Sequence, residues 1–192
     1  KPVGVISSMS DEFGRPDLSQ YALRDDRVYN VGRLDADTSG LLILTNDGEL
    51  ANMLAHPKFG VSKTYVAKVE GLVTSQEINQ LLKGVQLEDG LMNADKANLV
   101  DSNPYESLVE ITIHSGKNRV VRRMFDSIGH PVKDLVRRQF GPIQLGPLKP
   151  GQTRLLSKVE IGALLKAAQN SSKEPKVSAT KPGPKPRGRK RW

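Results

Sequence analysis

The pattern of this 192-residue sequence predicts an α+β sheet protein, on two observations. Segments with two-residue apolar alternation and segments with helical periodicity are intermixed along the chain, without the strand-helix-strand rhythm of a doubly wound parallel sheet. The length suits one domain with a real core plus an appendage, and no segment is duplicated, which argues against a repeat architecture.

Taken in order, "KPVGVISSMSDEFGRPDL" reads as a short strand over Val3 to Ile6 and a polar loop closed by a Gly-Arg-Pro turn. A chain that opens without Met and almost inside a strand is expected to be a fragment whose upstream part is missing. "RVYNVG" predicts a second strand and "GLLILT" a third, covered on both faces, so Asp35 falls in the loop between them. "ELANMLAHP" predicts two helical turns stopped by Pro57. "KTYVAKVEG" alternates Tyr65, Ala67 and Val69 against Thr64, Val66 and Lys68, the mark of a half-buried strand. Thr74 and Glu77 stand at capping-box spacing ahead of a helix that ends at Gly84. "SLVEITIH" predicts a strand, and "SGKNRVVRRMFDSIGHP" a tight turn into a helix. That helix is expected to bury Val120, Met124 and Phe125 and to spread Arg119, Arg122 and Arg123 around the remaining arc. "KDLVRRQFGPIQLGPLKPGQTRLLS" reads as short strands broken by Gly-Pro turns, after which Ser157 and Glu160 cap a last helix, Lys158 to Ala168. The expected organisation is one folded domain over 1–168 and a basic, disordered tail over 169–192, where Ser, Lys, Pro and Gly leave no core-forming pattern.

Composition removes several chemistries. Without cysteine there are no disulfides, thiolate zinc sites or cysteine nucleophiles. No apolar run approaches a membrane span and no signal-peptide pattern opens the chain, so a cytoplasmic protein is expected. There is no phosphate loop ending in Lys-Ser or Lys-Thr and no G-x-S-x-G elbow, and His56, His114 and His130 lack metal-ligand spacing. Asp35 and Asp37 are spaced to share a divalent cation if the segment is extended, yet Asp37 precedes Thr38 and Ser39 and is expected to make local turn hydrogen bonds instead. The net charge of +8 is uneven: from Lys173 onward eight Lys or Arg face one Glu, leaving about +1 on the rest. A nearly neutral body with a basic arm ending in Trp192 predicts a nucleic-acid partner.

Four stretches in succession, "GRLDADTSGLLILTNDGELANMLAHP", "KTYVAKVEG", "GKNRVVRRMFDSIGHPVKDLVR" and "GPIQLGPLKPGQTR", resemble the ordered motifs of the ribosomal RNA pseudouridine synthases of the RsuA class, and "KPVGVISS" resembles the first strand of their catalytic domain. The resemblance runs from Lys1 to about Leu165. It implies a mixed, largely antiparallel sheet with flanking helices, and an S4-type RNA-binding domain upstream that this sequence does not contain. It also implies a catalytic role for Asp35, supported by Arg33, Tyr65, Arg122 as the ion-pair partner of Asp35, and Leu135. Lys117, Arg119, Arg123, Lys133, Arg137 and Arg138 are expected to hold RNA phosphates around a flipped uridine.

The implied partner is ribosomal RNA, of the large subunit before the small, bound by a monomer that uses neither cofactor nor metal. The chemistry suits those residues: a carboxylate is charged at neutral pH and is a usable oxygen nucleophile, and a neighbouring guanidinium keeps it charged and aimed. A non-catalytic RNA-binding assembly factor, and a metal-dependent phosphodiesterase built on Asp35 and Asp37, are the readings from other classes.

The basic tail generates the first prediction. Removing residues 173–192 should weaken RNA binding and flatten its salt dependence by about 0.7 in logarithmic slope per lost single-strand phosphate contact, with turnover at saturating RNA nearly unchanged. Titrations at several salt concentrations check it; an unchanged slope means that the arm does not touch RNA.

Overall fold

The computed structural model describes residues 1–22 and 27–171; residues 169–171 continue the last helix, so the expected tail boundary at 169 is corrected, and the rest of the expected disordered tail lies outside the described residues. In chain order the elements are β1 (Tyr29–Asn30), β2 (Thr38–Gly40), β3 (Leu44–Thr45), α1 (Gly48–Ala55), β4 (Lys63–Glu70), α2 (Ser75–Lys83), β5 (Val85–Leu87) and β6 (Gly90–Met92). β7 (Lys96–Ser102), β8 (Glu106–Ile113), α3 (Val120–Ser127), β9 (Val132–Phe140), β10 (Ile143–Gln144) and α4 (Lys158–Ser171) complete the set. The main sheet runs β10-β9-β4-β8-β7, all antiparallel, and β2 joins β9 in parallel. This is the α+β, mixed and largely antiparallel sheet that the sequence resemblance implies.

The alternation of β4 and β8 places Tyr65, Ala67 and Val69 opposite Ile111, Val109 and Ser107 on one buried face. Against that face pack Leu81 of α2 and Val120, Val121, Met124 and Phe125 of α3. A fully buried Phe125 or Leu81 contributes about 2 to 3 kcal/mol through its apolar area. The expected capping box of α2 is present, with Thr74 Oγ1 accepting from Glu77 N and Glu77 Oε2 accepting from Thr74 N. A second cluster joins Val31, Leu41, Ile43, Leu54, Phe140, Ile143 and Leu164, drawing on α1, α4 and the short β1-β3 pair. Among the described residues no helix is long and apolar enough to cross a membrane.

Three further sequence expectations are corrected here. Val3 to Ile6 is not a strand: its backbone is bound instead by loops, Gly4 N donating to Ala36 O at 2.7 Å and Ile6 N to Pro16 O at 2.9 Å. "GLLILT" is not one strand either. Gly40 ends β2 in the main sheet, and only Leu44–Thr45 pairs with β1, so the apolar run passes from one sheet to another. Third, Arg122 leaves the exposed arc of α3 and is buried, because its guanidinium donates to Val132 O at 3.0 Å and to Asp37 O at 2.8 Å.

The β2-β9 approach is unusually close. Gly40, at φ +113°, leaves no room for a side chain: an added Cβ would stand 2.3 Å from Arg137 O. Gly40→Ala should therefore lower stability in urea by at least about 2 kcal/mol. Gly32→Ala, with φ +67° and nothing within 4 Å of the added carbon, should show only the left-handed backbone cost of about 1 kcal/mol.

Candidate active site

The Asp35 loop is clamped from both sides. Ser7 Oγ donates to Leu34 O at 2.7 Å and accepts from Leu34 N at 3.0 Å, fixing the residue before Asp35 by both of its backbone groups. Gly4 N takes Ala36 O, and Thr38 N donates to Asp35 O at 3.0 Å as the chain enters β2. The opening segment, misread as a strand, is thus the brace of this loop.

The charges around the loop are arranged differently from expectation. The expected Asp35–Arg122 ion pair is absent; Asp35 Oδ2 lies 3.6 Å from Arg119 Nη1 instead. Asp37 takes the stronger contacts, accepting a fork from Arg119 at 3.0 Å on each oxygen, with Arg122 Nη2 at 3.3 Å. The Arg119 hydrogen bonds hold the Asp37 carboxyl below the usual carboxylate range, with help from the charge of Arg122, and raise Arg119 in turn. The reason is geometric: buried Arg122 is anchored to backbone oxygens on both sides, and Arg119 is the residue that turns toward the loop. Arg119 does so with φ 46° and ψ 31°, making it the one non-glycine residue at positive φ among those described. Left-handed backbone in a β-unbranched residue costs about 1 to 2 kcal/mol, and here it places the guanidinium over both aspartates.

A cleft of about 400 Å³ opens beside Asp35. It gathers Arg33, Asp35, Tyr65, Lys117, Arg119, Leu135 and Arg137 of the residues singled out from sequence. Its walls come from both apolar clusters, Tyr65, Val120, Val121 and Leu135 from one and Phe140 from the other, so the cleft lies on their seam. Arg122, Arg123, Lys133 and Arg138 do not line it. Arg123 is held by a fork to Asp89 at 2.9 and 3.1 Å, and Lys117, which donates to the Asp89 backbone O at 2.8 Å, stands 3.6 Å from the same carboxylate, so part of the expected phosphate-binding charge is neutralised by an acid. Lys133 and Arg138 are exposed, but Arg137 is 1% exposed. Successive strand residues face opposite ways, which separates Arg138 from Arg137 and removes Arg137 from any surface phosphate cluster.

Three contributors escaped the sequence reading: Ser7, Lys63 and Thr38. Lys63 and Thr38 line the cleft. Burial, and then the charge of Arg137, pull the Lys63 ammonium down to about 8, with Asp95 opposing. Among the described residues no group of three His, Cys, Asp or Glu is placed to hold a metal ion, and the Asp37 carboxylate is committed to two arginines.

An aspartate-bearing cleft rimmed by arginine and lysine on a mixed sheet is an arrangement suited to acting on a nucleobase carried by a polyanion. More narrowly, the chain belongs to the RNA pseudouridylate synthase family, whose profile matches residues 1–127. It is 46% identical over 87% of its length to an uncharacterised RNA pseudouridine synthase of Mycobacterium tuberculosis. It is 45% identical over 85% of its length to the ribosomal large subunit pseudouridine synthase B of Bacillus subtilis, and 40% over 79% to a synthase E of Vibrio parahaemolyticus. The chain spans 67%, 68% and 69% of those three proteins, about two thirds of each. A crystal structure of a pseudouridylate synthase matches with a TM-score of 0.74 at 30% identity, over 85% of this chain and 70% of the other.

The lowered Lys63 has a signature in stability. Below about pH 8 both folded and unfolded chains hold the proton; above it the folded chain loses the proton while the unfolded chain keeps it up to its ordinary value of 10.5. The unfolded state then binds more protons, so stability rises across that window. Urea unfolding between pH 7 and 10 should show this rise in the wild type relative to Lys63→Met. Parallel pH profiles for the two proteins would contradict it.

Proposed function

We propose that this protein converts a uridine of large-subunit ribosomal RNA to pseudouridine, with Asp35 as the reagent. One observation carries the reading: half-buried Asp35 stands at a cleft lined by Tyr65 and Leu135 and rimmed by the exposed cations Arg33, Lys117 and Arg119. The large subunit is favoured by the names of the Bacillus and Vibrio relatives.

The reaction is an isomerisation. The N1–C1′ bond breaks, the uracil turns, C5 bonds to C1′, and the proton released from C5 is balanced by one gained at N1. Neither oxidant, reductant nor energy source enters. What the protein supplies is a charged oxygen beside the sugar and base, a closed apolar wall to hold the detached ring, and cations for the backbone. A base drawn out of its stack meets the Tyr65 ring and the Leu135 side chain, while the rim takes the phosphates.

Asp35→Asn tests the assignment. Because Asp37 holds Arg119 and Arg122, the variant keeps its loop tied and should fold normally. Pseudouridine formation on ribosomal RNA should fall by about a thousandfold or more, with RNA affinity near wild type. Tyr65→Phe, which keeps the ring, should lose far less if stacking is its role. Mapping pseudouridines in ribosomal RNA from cells lacking the gene, with and without a restoring copy, identifies the nucleotide. An Asp35→Asn protein as active as wild type, or an unchanged map, would refute the reading.

A further inference from the structure

Buried polar side-chain atoms in a folded protein almost always find a partner, because an unpaired one costs about 1 to 3 kcal/mol. Among the described residues three have none: Thr38 Oγ1, Arg122 Nε and Arg137 Nη2. Arg122 is otherwise satisfied by Asp37 and Val132. The other two line the Asp35 cleft. They sit on paired strands, Thr38 in register with Leu135 and Gly40 with Arg137, so Thr38 and Arg137 flank one short length of the cleft floor.

Arg137 is a costly residue to leave this way. It is 1% exposed, and among the described residues no carboxylate pairs with it. Its Nε donates to Leu41 O at 2.8 Å and its guanidinium lies 5.3 Å from the Phe140 ring centroid, which fixes the plane and leaves Nη2 unmatched. Burial lowers its pKa, and Tyr65 opposes this by charge and by a side-chain hydrogen-bonding interaction with the guanidinium, while Nη2 itself keeps no partner. Nothing in folding alone is served by an unmatched donor and an unmatched hydroxyl at one cavity floor; a ligand that completes them is. Phosphate does not fit that place. The exposed cations of the rim already offer a hydrated polyanion its contacts, whereas Tyr65, Leu135 and Phe140 make the floor a slot for a flat ring.

Resting on the activity proposed above, we infer that Arg137 and Thr38 read the edge of the flipped base, Arg137 Nη2 donating to O4 and Thr38 Oγ1 accepting from N3–H. Uracil presents an acceptor beside a donor on that edge. Cytosine presents its amino donor beside an acceptor nitrogen, and leaves the guanidinium facing a donor when it enters in the same pose. The pair thus determines which pyrimidine is admitted, while Asp35 performs the chemistry.

The test uses the full chain and a hairpin RNA carrying the uridine mapped in cells, made with uridine, 2-thiouridine, 4-thiouridine or 3-deazauridine at that position. In wild type, the 4-thio and the 3-deaza substitutions should each lower kcat/KM by about tenfold, and the 2-thio substitution should not. The thio effect should vanish in Arg137→Lys and the 3-deaza effect in Thr38→Val. Thr38→Val also removes an unpaired buried hydroxyl, so it should be as stable as wild type or more so while it loses activity, which a structural threonine would not do. Should Arg137→Lys fail to fold, the threonine arm decides alone. Substitution effects of the same size in the variants and in wild type, or Thr38→Val with unchanged kcat/KM, would overturn the inference while leaving the synthase activity standing. Wild-type protein that forms no product on any RNA would remove both.

Discussion

The site depends on the contact between two backbones. Gly40 of β2 lies against Arg137 of β9 with no space between them for a methyl group, and the pairing is parallel within an otherwise antiparallel sheet. That contact carries the Asp35 loop to the edge of β9. From there the order of the sheet follows: β4 pairs with the other edge of β9, bringing Tyr65 into register with Arg137, and β8 supports β4 in turn. A side chain at position 40 would collide with the Arg137 backbone and force β2 away from β9.

Electrostatics divides the cleft into two levels. At the rim, charge is exposed and partly balanced, with Asp35 and Asp37 under Arg119 and Lys117 beside Asp89. At the floor, Lys63 and Arg137 stand together without a carboxylate partner among the described residues, each disfavoured by burial. Exposed pairs of the first kind add little to stability and are screened by salt. Buried cations of the second kind reduce it, and such a cost persists where function uses it.

The sequence makes some of this legible and hides the rest for physical reasons. β4, β8, α2, α3 and α4 follow from periodicity and caps because one face of each is buried against a core, which writes the structure into the residue pattern. β7 buries only Ala97 at the sheet edge, and the β5-β6 hairpin has three residues per strand, so no comparable pattern announces them. Val3 to Ile6 is apolar like a strand, yet its partners are loops, and periodicity does not name partners. Asp35, Tyr65 and Leu135 were recognisable through motif resemblance alone. Ser7, Thr38 and Lys63 lie inside those same motif stretches, yet residue type does not mark them out there, since their roles arise from pairings with residues 27, 97 and 51 positions away. The misassigned partner of Arg122 has the same origin: its contact to Asp37 spans 85 residues, and residue type alone cannot choose between two aspartates two positions apart.

The seam position of the cleft, with its clamps from Ser7 to Leu34 and Arg119 to Asp37, also bears on cooperativity. No contiguous piece of the chain contains the site: its brace, its Asp35 loop, its floor and its charged rim come from the beginning, middle and end of the folded body. Closing such long loops is entropically expensive and is repaid only once both apolar clusters are assembled. The constellation therefore has no subdomain in which to survive partial melting. Its integrity is a property of the whole fold.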